Sequence, residues 1–134
     1  MREADKRLVR ALQKRLARHK VAHGHWIFLR ILWENDGISQ TALSQLAGVM
    51  NASTSGAVQG MEKLGYIVRK QHSDNRKKVF VYLTPVGRAL ENKLVPLAIE
   101  TNELATKGFS KIQIANFRHA LVAAIRNLDS EEFG

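Results

Sequence analysis

Leu8, Leu12 and Leu16, joined by Val9, recur three and four positions apart, so residues 2–19 predict an amphipathic helix. Gly24 interrupts the pattern. Residues 25–34 are apolar almost all round, with Ile27, Leu29, Ile31, Leu32, Trp26 and Trp33, and predict a buried second helix. Asn35, Asp36 and Gly37 end it, and Ile38 fits one short β bridge. Ser39 is suited to cap a short third helix carrying Leu43, Leu46 and Ala47 on one face, with Gly48 as the turn. Asn51 predicts the N-cap of a fourth helix running to Leu64, with Gly65 as its C′ residue. Thr54, Ala57, Val58 and Met61 form the apolar stripe of that helix, and Ser53, Ser55, Gly56 and Gln59 fall on the other side.

The period then changes. Residues 66–71 read as a strand, His72, Ser73, Asp74, Asn75 and Arg76 as a turn, and the β-branched and aromatic run 79–83 as the return strand. Thr84 before Pro85 starts a fifth helix, a capping hydroxyl ahead of proline at the first helical position. That helix runs toward Thr106, with a kink expected at Pro96. Gly108 ends it, and Ser110 with Gln113 satisfies the capping-box spacing. A sixth helix carries Ile114, Phe117, Leu121, Ile125 and Leu128, and residues 129–134 read as a frayed tail.

The 134 residues make one domain, or one domain with helical arms. At 45% hydrophobic the chain holds enough apolar residues for a core, which excludes wholesale disorder. No apolar run reaches the ~18 residues of a membrane span; the longest, residues 26–33, contains Arg30. The N-terminus is basic but lacks the apolar region of a secretory signal, so a cytoplasmic location and no membrane partner are expected. With no cysteine, thiolate metal sites, thiol nucleophiles and disulfides are excluded together.

Charge narrows the function. Lys and Arg number 21 against 12 Asp and Glu, a net +9, which points to a polyanionic partner. Ribosomal proteins, tRNA-binding modules and DNA-binding regulators all fit this. Eight basic residues lie in the first 20, opposed only by Glu3 and Asp5. They suit either a solvated helix packed on a partner or one that also contacts phosphate. A second cluster, Lys63, Arg69, Lys70, Arg76, Lys77 and Lys78, surrounds the strand–turn–strand. The C-terminal stretch is near balance, so one part binds and another assembles.

A short helix, a tight turn, a helix and a basic β-hairpin make a helix-turn-helix with a wing. The major groove admits one α-helix, and small polar residues on the outer face let that helix lie deep. Helix N-termini suit phosphate. A basic hairpin beside them reaches a narrower groove of stronger negative potential.

At these residues the chain resembles the MarR (multiple-antibiotic-resistance regulator) family. The resemblance is carried by the run 25–34, from His25-Trp26-Ile27 to Leu32-Trp33-Glu34, by Gly37-Ile38-Ser39-Gln40, and by Met61-Glu62-Lys63-Leu64-Gly65-Tyr66-Ile67. It continues through Asp74-Asn75-Arg76-Lys77-Lys78 and Leu83-Thr84-Pro85-Val86-Gly87-Arg88 to Asn102, Ala105 and Gly108-Phe109-Ser110. What the resemblance implies is one domain over residues 1–134, mainly α with a small β-hairpin wing. Residues 1–24 and 85–134 would be dimerisation helices, and 25–84 the winged helix-turn-helix. It implies a homodimer that binds a palindromic double-stranded DNA operator, mostly as a repressor, and is released by a small, often aromatic, effector.

Carried over by position, Ser53, Ser55 and Gln59 would face bases or backbone. Arg76 would enter the minor groove, oriented by Asp74. Ser39, Gln40 and Thr41 would hold phosphates, and Lys70, Lys77 and Lys78 belong to the same DNA-binding set. The chain departs from the pattern at Gly56 and Gly60, where many relatives have a basic residue in the recognition helix.

Each candidate has a plainer reading. Arg76 could be an exposed hairpin charge, and Ser53 and Ser55 local capping groups. His19 and His23 are four apart but straddle a helix break with no acid beside them, which argues against a metal. With Trp26 and Arg30 they are candidates for an effector pocket. Arg30 would pair with a ligand carboxylate or with an acid on another helix. Trp26 and Trp33 share a face, the pattern of core. No nucleophile elbow or phosphate-cradling glycine loop is present, so neither catalysis nor a cofactor is expected. The rival readings are an RNA-associated protein and a nucleoid-type DNA binder without sequence preference.

Overall fold

The computed structural model describes residues 2–72 and 74–133, and the side chains of all of these except Asn75, Arg76, Glu132 and Phe133. The elements follow in the order α1 (Arg2–Ala17), α2 (His23–Glu34), β1 (Ile38–Ser39), α3 (Gln40–Ala47), α4 (Asn51–Lys63), β2 (Ile67–His72), β3 (Asn75–Leu83), α5 (Pro85–Ala105) and α6 (Lys111–Phe133). The strands form one antiparallel sheet in the order β1-β3-β2. Residues 1–101 form one compact unit and residues 102–134 a second. No described helix is long and apolar enough to cross a membrane.

The core of the first unit is built on α2. Leu29 and Leu32 are fully buried there, with Leu16 of α1, Leu43 of α3, Val58 and Met61 of α4, and Val81 of β3 around them. Each such side chain contributes about 1.5–3 kcal/mol by leaving water. The sheet turns Ile67 and Val81 inward, while Val68, Lys70, Phe80 and Tyr82 alternate to the other face.

Several local expectations hold. The Ser39 hydroxyl accepts from the Ala42 N–H at 3.1 Å. Gly65 follows α4 with φ +81°. The capping box closes in both directions, Gln113 N–H to Ser110 Oγ at 3.1 Å and Ser110 N–H to Gln113 Oε1 at 2.8 Å.

Others differ for physical reasons. α1 stops at Ala17, and its closing turn places Lys20, not a glycine, at φ +60°. The Tyr66 hydroxyl donates to the Lys20 carbonyl at 2.8 Å and helps hold that conformation. Asn51 is the first residue inside α4; Met50 occupies the cap position with no side-chain bond. Leu46 is exposed, because α3 turns Leu43 and Ser44 inward. β3 begins at Asn75, four residues early, because Asn75 pairs with His72 of β2 across an irregularity in the ladder between Gln71 and His72. α6 continues to Phe133 in place of a frayed tail.

The tightest joint lies where α5 begins. Thr84 caps it, accepting from the Gly87 N–H at 3.1 Å and donating to the Gly65 carbonyl at 2.6 Å. Trp33 Nε1 donates to the Gly87 carbonyl at 3.0 Å. A Cβ on Gly87 would collide with the Tyr66 carbonyl oxygen, a backbone atom that cannot rotate away. Gly56 is the opposite case, with open space where a Cβ would stand. Gly87→Ala is therefore expected to cost ~1–3 kcal/mol or more by overpacking, whereas Gly56→Ala should add up to ~1 kcal/mol through helix propensity. Urea denaturation of both variants checks this; a neutral Gly87→Ala would show that the joint is not tight.

Candidate nucleic-acid interface

α3 and α4 form a helix-turn-helix. Gly48 turns the chain at φ +68°. The buried Ser44 hydroxyl then donates to Thr54 Oγ1 at 2.6 Å, and Thr54 Oγ1 lies 3.4 Å from the Met50 carbonyl it can donate to. Both residues are almost fully buried, so losing either partner would strand a desolvated hydroxyl. That bond fixes how α4 leaves α3. With Thr54, Val58 and Met61 facing in, α4 presents Ser53, Ser55, Gly56 and Gln59 to solvent, the face expected from the sequence. Glu62 is the acid of this helix, and Arg69 of β2 grips it through two bonds, at 2.9 and 3.3 Å. The Arg69 hydrogen bond and charge hold the Glu62 carboxyl below the usual carboxylate range.

Ser39, Gln40 and Thr41, at the start of α3, line an open cleft of about 280 Å³ together with Asn51, Lys77, Lys78 and Val79. Five of the candidate DNA contacts thus meet in one place. The residues that open α3 and α4 and two lysines of β3 share one lining, a combination that favours an anion. Asn51 is the residue that sequence reasoning misassigned: it caps nothing with its side chain and lines this cleft instead. Its signal was a polar residue at the start of the second helix, read as a cap.

Lys70 is not in the cleft. Its ammonium sits 5.5 Å from the Tyr82 ring centre, beside a His72 Nε2–Tyr82 hydroxyl hydrogen bond of 2.9 Å. Asp74 is exposed in the hairpin turn. The backbone of Arg76 lies in β3, but its side chain, and so the expected pairing with Asp74, lies outside the described residues.

A second cleft, of about 680 Å³, runs between α2 and α4. His23, Trp26 and Arg30 line it, as do His25, Ser53 and Gly56; His19, in the turn after α1, does not. The Arg30 guanidinium stacks 5.8 Å from the Trp26 ring centre. Among the described residues Arg30 makes no ion pair, so the acid expected for it on another helix is replaced by an aromatic face. Trp26 is buried and meets Trp33 edge-on at 5.8 Å, as core residues do. His25 packs against α4 at Gly60, where a Cβ would stand 3.1 Å from Nε2. Its buried Nδ1 has no partner among the described residues. Burial pushes the His25 pKa down.

This geometry, two helices joined at a fixed angle with a basic hairpin beside their N-termini, defines a winged helix-turn-helix protein. The MarR family model matches residues 22–79. A MarR transcriptional regulator from Methanosarcina mazei Go1 shares the fold with a TM-score of 0.86 at 25% identity, over 93% of this chain and 90% of that one. A MarR-family regulator from Listeria monocytogenes, solved in complex with a 26mer DNA, matches with a TM-score of 0.82 at 26% identity, over 95% and 85%. The homoprotocatechuate degradative operon repressor of Escherichia coli is 29% identical over 92 residues, 69% of this chain and 60% of that protein. The matched stretch covers 44% to 60% of the length of the first curated relatives. Over residues 22–79 the chain is similar to MarR-family proteins, and it shares the winged helix fold of the MarR transcriptional regulators above.

The lowered pKa of His25 has a consequence for stability. An unfolded histidine titrates near ~6.5. Below that pH the unfolded chain binds a proton that the folded site resists, so stability falls with acidification. The contribution is nil at neutral pH and grows as pH drops from ~6.5 toward the folded pKa. Denaturant midpoints taken between about pH 7.5 and 5 should decline less in His25→Gln than in the parent; equal declines would assign the effect to other groups.

Proposed function

We propose that this chain is a homodimeric, DNA-binding transcriptional regulator that represses a promoter by occupying a palindromic site. The observation that carries the reading is the cationic cleft joining the N-termini of α3 and α4 to Lys77 and Lys78 of the wing. In this reading the cleft seats backbone phosphates, which set the register. Ser53, Ser55 and Gln59 then approach the base edges, and Arg76 enters the adjacent minor groove.

Dimerisation is supported by α6, which leaves Phe117, Ile125 and Leu128 more than half exposed in the single protomer. Residues 1–24 and 85–134 supply the dimer helices, and 25–84 the DNA-binding part. Two recognition helices set ~34 Å apart would then match half-sites one turn apart.

Release by a small effector is supported by the cleft between α2 and α4. A flat, apolar or aromatic anion there would meet Trp26, Arg30 and His23 while touching Ser53 on the recognition helix. It would shift DNA binding only by its differential affinity for the free and the DNA-bound forms.

The test is selection of genomic fragments on the purified protein at about 150 mM salt, close to physiological screening. An enriched palindrome with half-sites one turn apart is the expected result. Broad binding with no motif, lost steeply with salt, would replace this reading with a nonspecific nucleic-acid binder. On the selected site, Arg76→Ala is expected to weaken binding by ~1–3 kcal/mol and to relax the sequence preference. Lys77→Ala should instead reduce the salt slope by about one unit across all sequences. Fluorescence titrations against salt separate the two, and negligible effects from both would sink the wing assignment.

A further inference from the structure

The net charge does not sit where the helix-turn-helix is. Of the +9, residues 1–20 hold +6, from eight basic and two acidic residues. Residues 25–84 hold +3, and residues 85–134 balance at six against six. The recognition helix α4 is itself neutral, with Glu62 and Lys63. A reading confined to α3, α4 and the wing leaves two thirds of the excess charge unexplained.

α1 presents that charge in an ordered way. In the single protomer Arg2, Lys6, Arg10 and Lys14 of α1, with Arg18 in the turn after it, recur every fourth residue, and all five are exposed. Successive members rise about 6 Å along the helix axis. Arg7 pairs with Glu3 at 3.7 Å, and Arg15 turns away to Glu100 of α5 at 3.4 Å. The other five make no ion pair among the described residues. Such a stripe does not serve the helix. Like charges four apart repel, and cations in the first turns oppose the helix dipole.

We propose that this face of α1 is a second phosphate-binding surface, occupied by double-stranded DNA outside the base pairs read by α4. The inference rests on the proposed DNA-binding function. A lipid surface is the weaker occupant, because an interfacial helix must insert its apolar face, and α1 spends Leu12 and Leu16 on the protein core. What remains is an ionic face, which suits a duplex backbone. Each cation that meets a phosphate releases a counterion, so the surface adds affinity and salt dependence without adding sequence preference.

The experiment compares the full chain with its Lys6→Gln/Arg10→Gln/Lys14→Gln variant, since glutamine keeps the helix propensity. Binding is measured against salt on duplexes of about 20 and about 50 base pairs, the shorter holding two half-sites only. Each length is made with a selected site and with a scrambled one. The parent should bind the longer duplex about tenfold tighter than the shorter, and the variant should lose that advantage, with a slope shallower by ~0.9 for each phosphate it no longer neutralises. The ratio of selected to scrambled binding should be the same in both proteins. A variant that matches the parent in slope and length dependence overturns the proposal. So does a loss confined to RNA duplexes or phosphatidylserine vesicles run in parallel. If the parent shows no preference for the selected site while the α1-dependent slope persists, the operator reading fails and this surface stands.

Discussion

The fold depends on one close approach, the backbone of Gly87 against the backbone of Tyr66. The two strands and α5 must meet within a space that holds no side chain. Around that contact the polar groups are disposed to keep it closed. The Tyr66 carbonyl accepts from the Thr84 N–H at 3.0 Å. Asp36 accepts from the Leu83 N–H and from Arg88, each at 2.8 Å. These terms are unequal. The Asp36–Arg88 pair is largely exposed and is worth about 0–1 kcal/mol. The bond from Leu83 N–H to a carboxylate is charge-assisted and worth ~1.5–3 kcal/mol. The steric requirement outweighs the ion pair, because removing the pair loosens the joint while adding a methyl group forbids it. The Leu-Thr-Pro-Val-Gly-Arg run at 83–88 is therefore a packing requirement.

With that joint closed, α2 becomes the element through which the parts communicate. It meets α1 through the Leu16 side of the core, α5 through Trp33, and α4 where His25 rests on Gly60. A glycine in the middle of a recognition helix costs about 1 kcal/mol relative to alanine. At Gly60 the cost has a visible cause: a larger residue would have to displace the imidazole. At Gly56 no packing cause exists, and the residue borders the cleft beside Trp26 and Arg30. Two glycines that look alike in sequence thus have different reasons, one steric and one connected with open space.

What was legible in the sequence was local. Ser39, Thr84-Pro85, Gly65 and the Ser110–Gln113 pair act within one turn of the chain, and each behaves as its chemistry requires. The inward stripe of α4 followed from helical period alone. What was not legible depended on partners distant in sequence. Leu46 is exposed because Ser44 is drawn inward by Thr54, and no periodicity rule ranks a serine above a leucine for burial. β3 starts at Asn75 because His72 of β2 pairs with it, not because Asn75-Arg76-Lys77-Lys78 favours a strand. Lys20 adopts a left-handed conformation where a glycine would be the sequence signal, its carbonyl held by Tyr66. The candidate site divides the same way. The residue types were readable, but their convergence was not: Asn51 joined the cleft, while Lys70 left it for the Tyr82 ring.

That last division bears on how such an interface distributes its chemistry. The ammonium of Lys70 and the guanidinium of Arg69 are both spent within the protein, on Tyr82 and Glu62. Among the described residues, Lys77 and Lys78 are the cations that line the cleft. In the proposed reading, α4 contributes to base discrimination through Ser53, Ser55 and Gln59, short of reach and held at a fixed depth, beside the minor-groove contact of Arg76. Short side chains tolerate little error in position, since a displaced serine has no length with which to compensate. The buried Ser44–Thr54 bond and the Glu62–Arg69 grip meet that demand, fixing one end of α4 to α3 and the other to β2. Precision in the scaffold thus stands in for reach in the side chains, and the charge needed for affinity can be carried elsewhere on the molecule.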